Sequence, residues 1–141
     1  MDDPFHLERF LRAQDDGGVF AAALRELQEG RKRSHWMWFV FPQIAGLGRS
    51  STALYYAISS LAEAKAYLAH PVLGPRLVDS AGALTALPGS DPVAVLGGID
   101  AQKLRSSMTL FARADPEERV FRDVLDQYFS GQEDDATLAR L

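Results

Sequence analysis

Residues 115–131 read DPEERVFRDVLDQYFSG, and this stretch decides the fold class. A proline and two glutamates directly after Asp115 are typical of a helix N-terminus, and Gly131 is a typical helix stop. Between them, apolar residues recur at the spacing of one helix face: Val120, Phe121, Val124, Leu125, Tyr128 and Phe129. The sequence therefore predicts a long amphipathic helix here.

The same helical spacing recurs on the amino-terminal side of this stretch. We expect helices from Asp3-Pro4 to residues 15–18, over 19–27 with a stop at Gly30, over 52–58, 60–68, 71–87 and 92–96, and from a cap at Asp100 through Phe111. Residues 34–50 follow no regular period, so a short strand and a buried helical turn both fit. The sequence predicts a mainly α fold, a single compact domain over residues 1–141 with about seven to eight helices and irregular loops.

Composition narrows the function classes. The chain has 141 residues, 47% of them hydrophobic, which suits a globular protein with one core. It has no cysteine, and its three histidines are far apart in sequence, so we predict neither a metal site nor a cofactor. The amino end is acidic where a signal peptide is basic, and no run approaches the roughly 20 apolar residues of a membrane span. A cytoplasmic protein without membrane contact is expected.

Charge is distributed unevenly along the chain. The net charge of −4 argues against general nucleic-acid binding. No acidic residue lies between Glu29 and Glu63, however, and this segment carries Arg31, Lys32, Arg33 and Arg49. The segment is either a solvated cationic turn or a site for a small anion, and its aromatic content favours the anion site.

The candidate ligand-binding residues come from this basic and aromatic segment. Arg31, Lys32 and Arg49 would bind phosphate, and Lys103 would join them if the fold brings it close. Aromatic faces bind a nucleobase by stacking, and we predict this role for Trp36, Trp38 and Phe39. Gln43 is the neighbouring polar residue of the predicted site. The alternative is that the aromatic residues form a corner of the core.

Three residues are candidates for moving a proton: His35, Glu63 and His70. For Glu63 and His70 the sequence also allows a structural role. Ser60 and Glu63 match a capping box at a helix start, and His70 suits a cation at the C-terminal end of the preceding helix. The loop 46–51 is either an anion-binding helix N-terminus or a plain connection. Ser106 and Ser107, close to Lys103, are expected to face a neighbouring helix.

Long motifs in this chain resemble a known family. GRKRSHWMWFVFPQ at 30–43, GLGRS at 46–50, HPVLGPRL at 70–77 and KLRSSMTLF at 103–111 are similar to the signature of the domain of unknown function 1810 family. The resemblance covers nearly the whole chain. It implies a compact, mainly helical fold and a cytoplasmic location, and it supplies no established activity.

A remoter resemblance is to the NADAR proteins, small helical domains associated with ADP-ribose chemistry. It rests on the early aromatic and proline segment, the tyrosine-bearing helix, Leu73-Gly74-x-Arg76 and a late methionine-bearing helix. It implies ADP-ribose or a related anion as ligand, and hydrolysis of a glycosidic bond. The residues 52–58 lack the glutamate that such a glycosidase needs, and Glu63 is an imperfect substitute.

Two functions of different classes follow. The first is binding of a nucleotide-like anionic ligand, with or without glycosidic hydrolysis. The second is a non-catalytic module that binds protein or RNA through the basic and aromatic segment 31–50. If that segment is only the folding nucleus, neither function applies.

Overall fold

A computed structural model describes residues 2–141, and Met1, the first residue of the predicted domain, lies outside this range. Ten α-helical segments make up the described part of the chain: α1 (Glu8–Asp15), α2 (Val19–Glu29), α3 (Met37–Val40), α4 (Ser51–Tyr55), α5 (Leu61–Ala69), α6 (Leu73–Thr85), α7 (Pro92–Leu96), α8 (Gly98–Ala114), α9 (Arg119–Phe129) and α10 (Asp135–Leu138). The predicted mainly α fold is confirmed. Four helices, α3, α4, α7 and α10, have only four or five residues, and two of these, α3 and α10, raise the number of helices above the expected seven to eight.

Helix α8 is the centre of the fold. It packs against α5, α7, α9 and α10, while α6 packs against α2, α5 and α9. Leu104, Met108, Leu110 and Phe111 of α8 are fully buried. One hydrophobic core therefore joins residues from both ends of the described chain.

Several helices form as their apolar spacing predicts. Helix α6 buries Leu73, Leu77, Ala81 and Leu84, and α9 buries Phe121, Val124, Leu125 and Tyr128. Helix α2 ends at Gly30, whose φ of +76° is the left-handed conformation that glycine adopts without strain. Periodicity locates these helices because each presents one continuous apolar face to the core.

Three predicted helix starts are wrong, and one of them is that of α9, which begins at Arg119 rather than directly after Asp115. Helix α1 begins at Glu8 rather than near Pro4, although the Asp3 carboxylate still accepts hydrogen bonds from the Leu7 N–H at 2.7 Å and the Glu8 N–H at 3.1 Å. Helix α8 begins at Gly98, and Asp100 makes no capping bond. The Asp100 carboxylate instead forms ion pairs, described below.

Residues 34–50 combine both conformations that their sequence allows. Helix α3 is a single buried turn, and beyond it Ile44 forms one parallel β-bridge with Ile58. The Ala45 N–H donates to the Ile58 carbonyl and the Ile58 N–H donates to the Gln43 carbonyl, both at 2.8 Å. This bridge ends the predicted helix 52–58 early, because Ile58 pairs as a strand residue.

The carboxyl-terminal residues return to α8. Thr137 of α10 is fully buried and Leu138 is half-buried, whereas Leu141 is exposed. The tail therefore packs against the rest of the protein through α10, whereas its last residue does not. None of the helices in residues 2–141 has both the length and the apolar character needed to cross a bilayer.

Candidate ligand-binding pocket

A pocket of about 650 Å³ lies between the loop before α4 and the exposed side of α8. This volume is in the range of sites for small molecules, roughly 300–1,000 Å³. Four of the eight predicted ligand-binding residues line it: Trp38, Gln43, Arg49 and Lys103. The fold therefore brings the basic and aromatic segment next to α8. Lys103 of α8 lies 54 positions after Arg49 in the sequence, yet both line this pocket.

The charged residues that line the pocket are predominantly cationic. Arg49, Lys103 and Arg105 face one carboxylate, that of Asp134. Arg49 is exposed and forms no ion pair or side-chain hydrogen bond within residues 2–141. Arg105 donates to the carbonyls of Gln132 at 3.1 Å and Glu133 at 2.7 Å, which fixes its guanidinium without neutralising it.

Asp134 is already engaged by the protein. Its Oδ2 accepts from the Thr137 hydroxyl at 2.6 Å, the Thr137 N–H at 3.0 Å and the Ser106 hydroxyl at 3.2 Å. It caps α10 and ties that helix to α8. These bonds make Asp134 a structural residue, and of the lining cations Arg49 is the one that forms no ion pair or side-chain hydrogen bond within the described residues.

Lys103 is held at the edge of the pocket by two contacts. Its Nζ lies 3.7 Å from Oδ1 of Asp100 and 4.5 Å from the ring centroid of Trp38. An ammonium over an aromatic face is attracted by the ring quadrupole. Lys103 therefore covers one face of the Trp38 ring, so that face is not open for the stacking that the sequence suggested.

Lys32, predicted to bind phosphate, is used inside the protein. Its Nζ lies 3.0 Å from Oδ2 of Asp100 and 5.1 Å from the Trp36 ring centroid, and its side chain is only 10% exposed. It is absent from the pocket lining. The pairing with Asp100 explains why Lys32 cannot contribute a free charge there.

Trp36 is a core residue. It is fully buried, so its ring presents no face to a ligand, and the predicted stacking role is wrong for this tryptophan. Its indole N–H donates to Oε1 of Glu26 at 2.9 Å. The spacing of aromatic residues could not separate Trp36 from Trp38, because the single turn of α3 points them in different directions.

Glu26 organises the start of the basic segment. Its carboxylate also accepts from the Arg33 N–H at 2.8 Å, the Ser34 N–H at 3.1 Å and the Ser34 hydroxyl at 2.7 Å. Burial raises the pKa of this carboxyl, but the hydrogen bonds from Ser34, Arg33 and Trp36 outweigh burial and lower the pKa to about 2. Glu26 is therefore ionised and fixes the local backbone.

Three further predicted residues lie outside the pocket lining. Arg31 and His35 are exposed and do not reach it. Phe39 is half-buried, and its ring centroid lies 5.3 Å from that of Tyr56. Phe39 thus supports the tyrosine rather than a ligand.

Glu63, a candidate proton-transfer residue, forms a buried ion pair. Its Oε2 lies 2.9 Å from Nη2 of Arg9, and its Oε1 accepts from the N–H and the hydroxyl of Ser59, each at 2.8 Å. The Ser60 hydroxyl caps the Glu63 N–H at 3.1 Å, half of the expected capping box. Glu63 does not line the pocket beside α8, and sequence reasoning missed Arg9.

Arg9 is tied to the protein at every side-chain nitrogen. Besides Glu63, it donates to four backbone carbonyls: those of Phe5, His6, Tyr55 and Ala57. It is 8% exposed. The Arg9 and Glu63 pair therefore joins α1 to α5 as a structural link, and the bonds from Arg9 to Tyr55 and Ala57 join α1 to the end of α4 and the residues after it.

His70 is the C-cap residue of α5, and its side chain caps the start of the following helix. Its Nδ1 accepts from the N–H groups of Val72 and Leu73, each at 3.1 Å. The ring is therefore directed at the start of α6 and not at the carbonyl groups that end α5, where the sequence predicted it. His70 does not line the pocket beside α8.

The loop 46–50 packs tightly against α4. The Ser50 hydroxyl accepts from the Ala53 N–H at 3.1 Å, and α4 has only five residues. A Cβ added to Gly48 would lie 2.6 Å from the Ala53 Cβ, so glycine permits this close approach. The loop contributes Arg49 to the pocket. At the start of α4, the Ala53 N–H already donates to Ser50 and is not available to an anion.

Sequence reasoning missed Arg105 and Asp134. Of the two serines beside Lys103, Ser106 bonds Asp134, whereas the fully buried Ser107 hydroxyl has no partner within residues 2–141. No local pattern links α8 to Asp134, because their contact depends on the return of the tail. Residues 2–141 contain no group of three or more His, Asp or Glu placed to hold a metal ion.

Comparison with known proteins identifies the family. The model described as "Protein of unknown function (DUF1810)" matches residues 4–141. The chain belongs to this family. A crystal structure of the conserved hypothetical protein Rv1873 from Mycobacterium tuberculosis is 50% identical to it, covers 99% of this chain and 98% of its own, and superposes with a TM-score of 0.95. A search of curated proteins found no match.

Proposed function

We propose that this DUF1810 protein binds a small phosphate-bearing ligand of the nucleotide class in the pocket between the loop 46–50 and α8. The observation that carries the proposal is that Arg49, Lys103 and Arg105 share one pocket of about 650 Å³. Lys103 also pairs with Asp100 at 3.7 Å and Arg105 donates to two backbone carbonyls, whereas Arg49 keeps its charge unpaired among the described residues. Such a lining favours an anion through charge-assisted hydrogen bonds.

The remaining lining suits the organic part of such a ligand. Trp38, Leu47, Ala53 and Ile99 supply apolar surface, and Ile99 is 77% exposed. Small-molecule sites combine apolar walls with a few placed polar groups. A ligand with a charged end and a flat organic end matches both parts of the lining.

Catalysis is not part of this proposal. His35 is exposed, Glu63 belongs to a buried ion pair, and His70 caps a helix. None of the three lines the pocket. Glycosidic hydrolysis, the NADAR likeness, a protein- or RNA-binding role of residues 31–50 and the cytoplasmic location stay predictions. Burial of Trp36, Met37, Val40 and Phe41 favours the pocket over an open binding strip.

Calorimetric titration with ADP-ribose and with pyrophosphate tests the proposal. We expect the Arg49→Gln and Lys103→Gln variants to bind ADP-ribose about tenfold or more weakly, since each loses a hydrogen bond to a charged group. Arg31→Gln is the matched control, because Arg31 is an exposed arginine of the same segment outside the pocket. Equal weakening by Arg31→Gln, or no binding of either probe to the unaltered protein, would overturn the proposal.

A further inference from the structure

The pocket cation Lys103 belongs to a cluster of three charges whose other members lie outside the pocket lining. The Asp100 carboxylate is shared between two lysines: its Oδ2 lies 3.0 Å from Nζ of Lys32, and its Oδ1 lies 3.7 Å from Nζ of Lys103. Lys103 lines the pocket, whereas Lys32 and Asp100 do not. The cluster therefore connects the pocket with two charges that are not part of its lining.

The cluster carries more positive than negative charge. Two ammonium groups face one carboxylate, which leaves an excess of one positive charge. The side chains of Lys32, Asp100 and Lys103 are only 10%, 19% and 21% exposed, so water and salt screen their interactions less than on an open surface. Within residues 2–141, no second carboxylate lies within 4.0 Å of either lysine nitrogen. Since charges withdrawn from water are normally paired, an anion from outside would balance the cluster.

The two lysines differ in how far they reach toward the pocket. Nζ of Lys32 lies 5.1 Å from the ring centroid of Trp36, which is fully buried. Nζ of Lys103 lies 4.5 Å from the ring centroid of Trp38, which lines the pocket. Lys32 therefore stays with Asp100 inside the protein, and Lys103 is the member of the cluster that an anion in the pocket would meet.

We infer that Asp100 and Lys32 are positioning residues of the anion site and set its affinity through Lys103. Asp100 competes with the anion of the ligand for the Lys103 ammonium. Lys32 weakens this competition, because it takes up part of the charge of the same carboxylate. The inference rests on the proposed function, since Lys103 must be a phosphate-binding cation of the pocket. Loss of the Asp100 charge should therefore strengthen binding, and loss of the Lys32 charge should weaken it.

Calorimetric titration with pyrophosphate and with ADP-ribose measures both effects. We expect Lys32→Gln to bind each probe about fivefold more weakly and Asp100→Asn about fivefold more tightly, the size of one ion pair near a protein surface. Lys32→Arg keeps the charge beside Asp100 and should bind as the unaltered protein does. Arg31→Gln is the matched control, because it removes the same charge one position earlier from an exposed residue outside the pocket lining. It should change the affinity by less than about twofold, since solvent screens an exposed charge.

A double variant separates action through Asp100 from a long-range effect of charge. In the Asp100→Asn protein, Lys32→Gln should change the affinity by less than about twofold, because the carboxylate through which Lys32 acts is gone. Unchanged binding by Lys32→Gln, equal weakening by Arg31→Gln, or the same loss in both backgrounds overturns the inference and leaves the proposed function standing. If Asp100→Asn fails to fold, the loss in Lys32→Gln and its recovery in Lys32→Arg decide the point. An unaltered protein that binds neither probe overturns the proposed function and the inference with it.

Discussion

The carboxylate of Glu26 shows how one residue fixes the path of the basic segment. It accepts four hydrogen bonds from Arg33, Ser34 and Trp36. A buried acceptor with that many donors leaves several polar groups unpaired when it is replaced. Glu26 therefore determines that Trp36 lies in the core and that Trp38, two positions later, is left to line the pocket.

The depressed pKa of Glu26 predicts a dependence of stability on pH. The carboxyl has a pKa of about 2 in the folded protein against 4.5 for a free glutamate, so the unfolded chain takes up the proton first as the pH falls. The stabilisation is therefore complete above about pH 4.5 and is lost as the pH falls toward 2. We expect Glu26→Gln to lower the free energy of unfolding by about 1–3 kcal/mol at pH 7.

Urea unfolding of the unaltered protein and of Glu26→Gln, from pH 7 down to pH 2.5, measures this effect. The difference between the two should shrink steadily below pH 4.5. A difference that stays constant with pH would mean that the ionised carboxylate is not what holds Ser34 and Trp36.

Replacement of Glu63 separates a structural role from a catalytic one. Glu63→Ala leaves the charge of Arg9 buried without its partner, which typically costs about 3–5 kcal/mol. The double variant Arg9→Met with Glu63→Met should be destabilised by less than the sum of the two single Met variants, because each single variant leaves the other charge without its partner. Thermal or urea unfolding measures both. A fully stable Glu63→Ala protein would contradict the structural role.

Sequence patterns identify which residues can bond but not which direction a side chain takes. His70 was expected at the end of α5 on spacing alone, yet its ring turns toward the N–H groups of α6. Arg9 gave no signal at all, since its five acceptors include carbonyls of Tyr55 and Ala57, far along the chain. Such contacts depend on tertiary structure that local spacing does not contain.

At the level of elements, the close contact of α5 and α6 depends on Gly74. A Cβ at this position would lie 2.1 Å from the backbone carbonyl oxygen of Leu68. The helices must separate to accept an alanine, because a backbone oxygen cannot move aside alone. We expect Gly74→Ala to lower the free energy of unfolding by more than about 2 kcal/mol, in the range of strained core substitutions.

Gly82→Ala is the matched control in the same helix. A Cβ at Gly82 meets nothing within 4 Å, so alanine should be neutral or stabilise α6 by up to about 1 kcal/mol. Denaturant unfolding of both variants decides the point. Equal effects of the two alanines would show that the helices are not in close contact at Gly74.

The predictable elements are those with one long apolar face. Helices α2, α6 and α9 were located from spacing, and Gly30 and Gly131 lie close to the observed ends of α2 and α9, whereas α9 begins four residues after Asp115. Residues 34–50 were not predictable, because a single turn and a single bridge contain too few residues to show a period. The start of α8 was misplaced because Asp100 pairs with lysines instead of capping.

On the scale of the whole molecule, the pocket arises from three distant parts of the chain. The segment 38–53, the exposed side of α8 and the tail around Asp134 meet only in the folded protein. Sequence reasoning found Trp38, Gln43, Arg49 and Lys103 by their chemistry, but it grouped them with Arg31, Lys32 and Trp36. That grouping failed because residues close in sequence can point to different sides of the fold, whereas the residues of a site must face the same pocket.

The two tryptophans allow the central claim to be tested within one sample. Trp38 lines the pocket, and Trp36 is buried against Glu26 as an internal control. Titration of ¹⁵N-labelled protein with ADP-ribose, followed through the two indole N–H resonances after assignment with Trp38→Phe, reports where the ligand binds. Our account predicts a saturable shift of the Trp38 resonance with little change at Trp36. A saturable shift at Trp36 alone, or saturation that leaves Trp38 unmoved, would contradict a ligand site in this pocket.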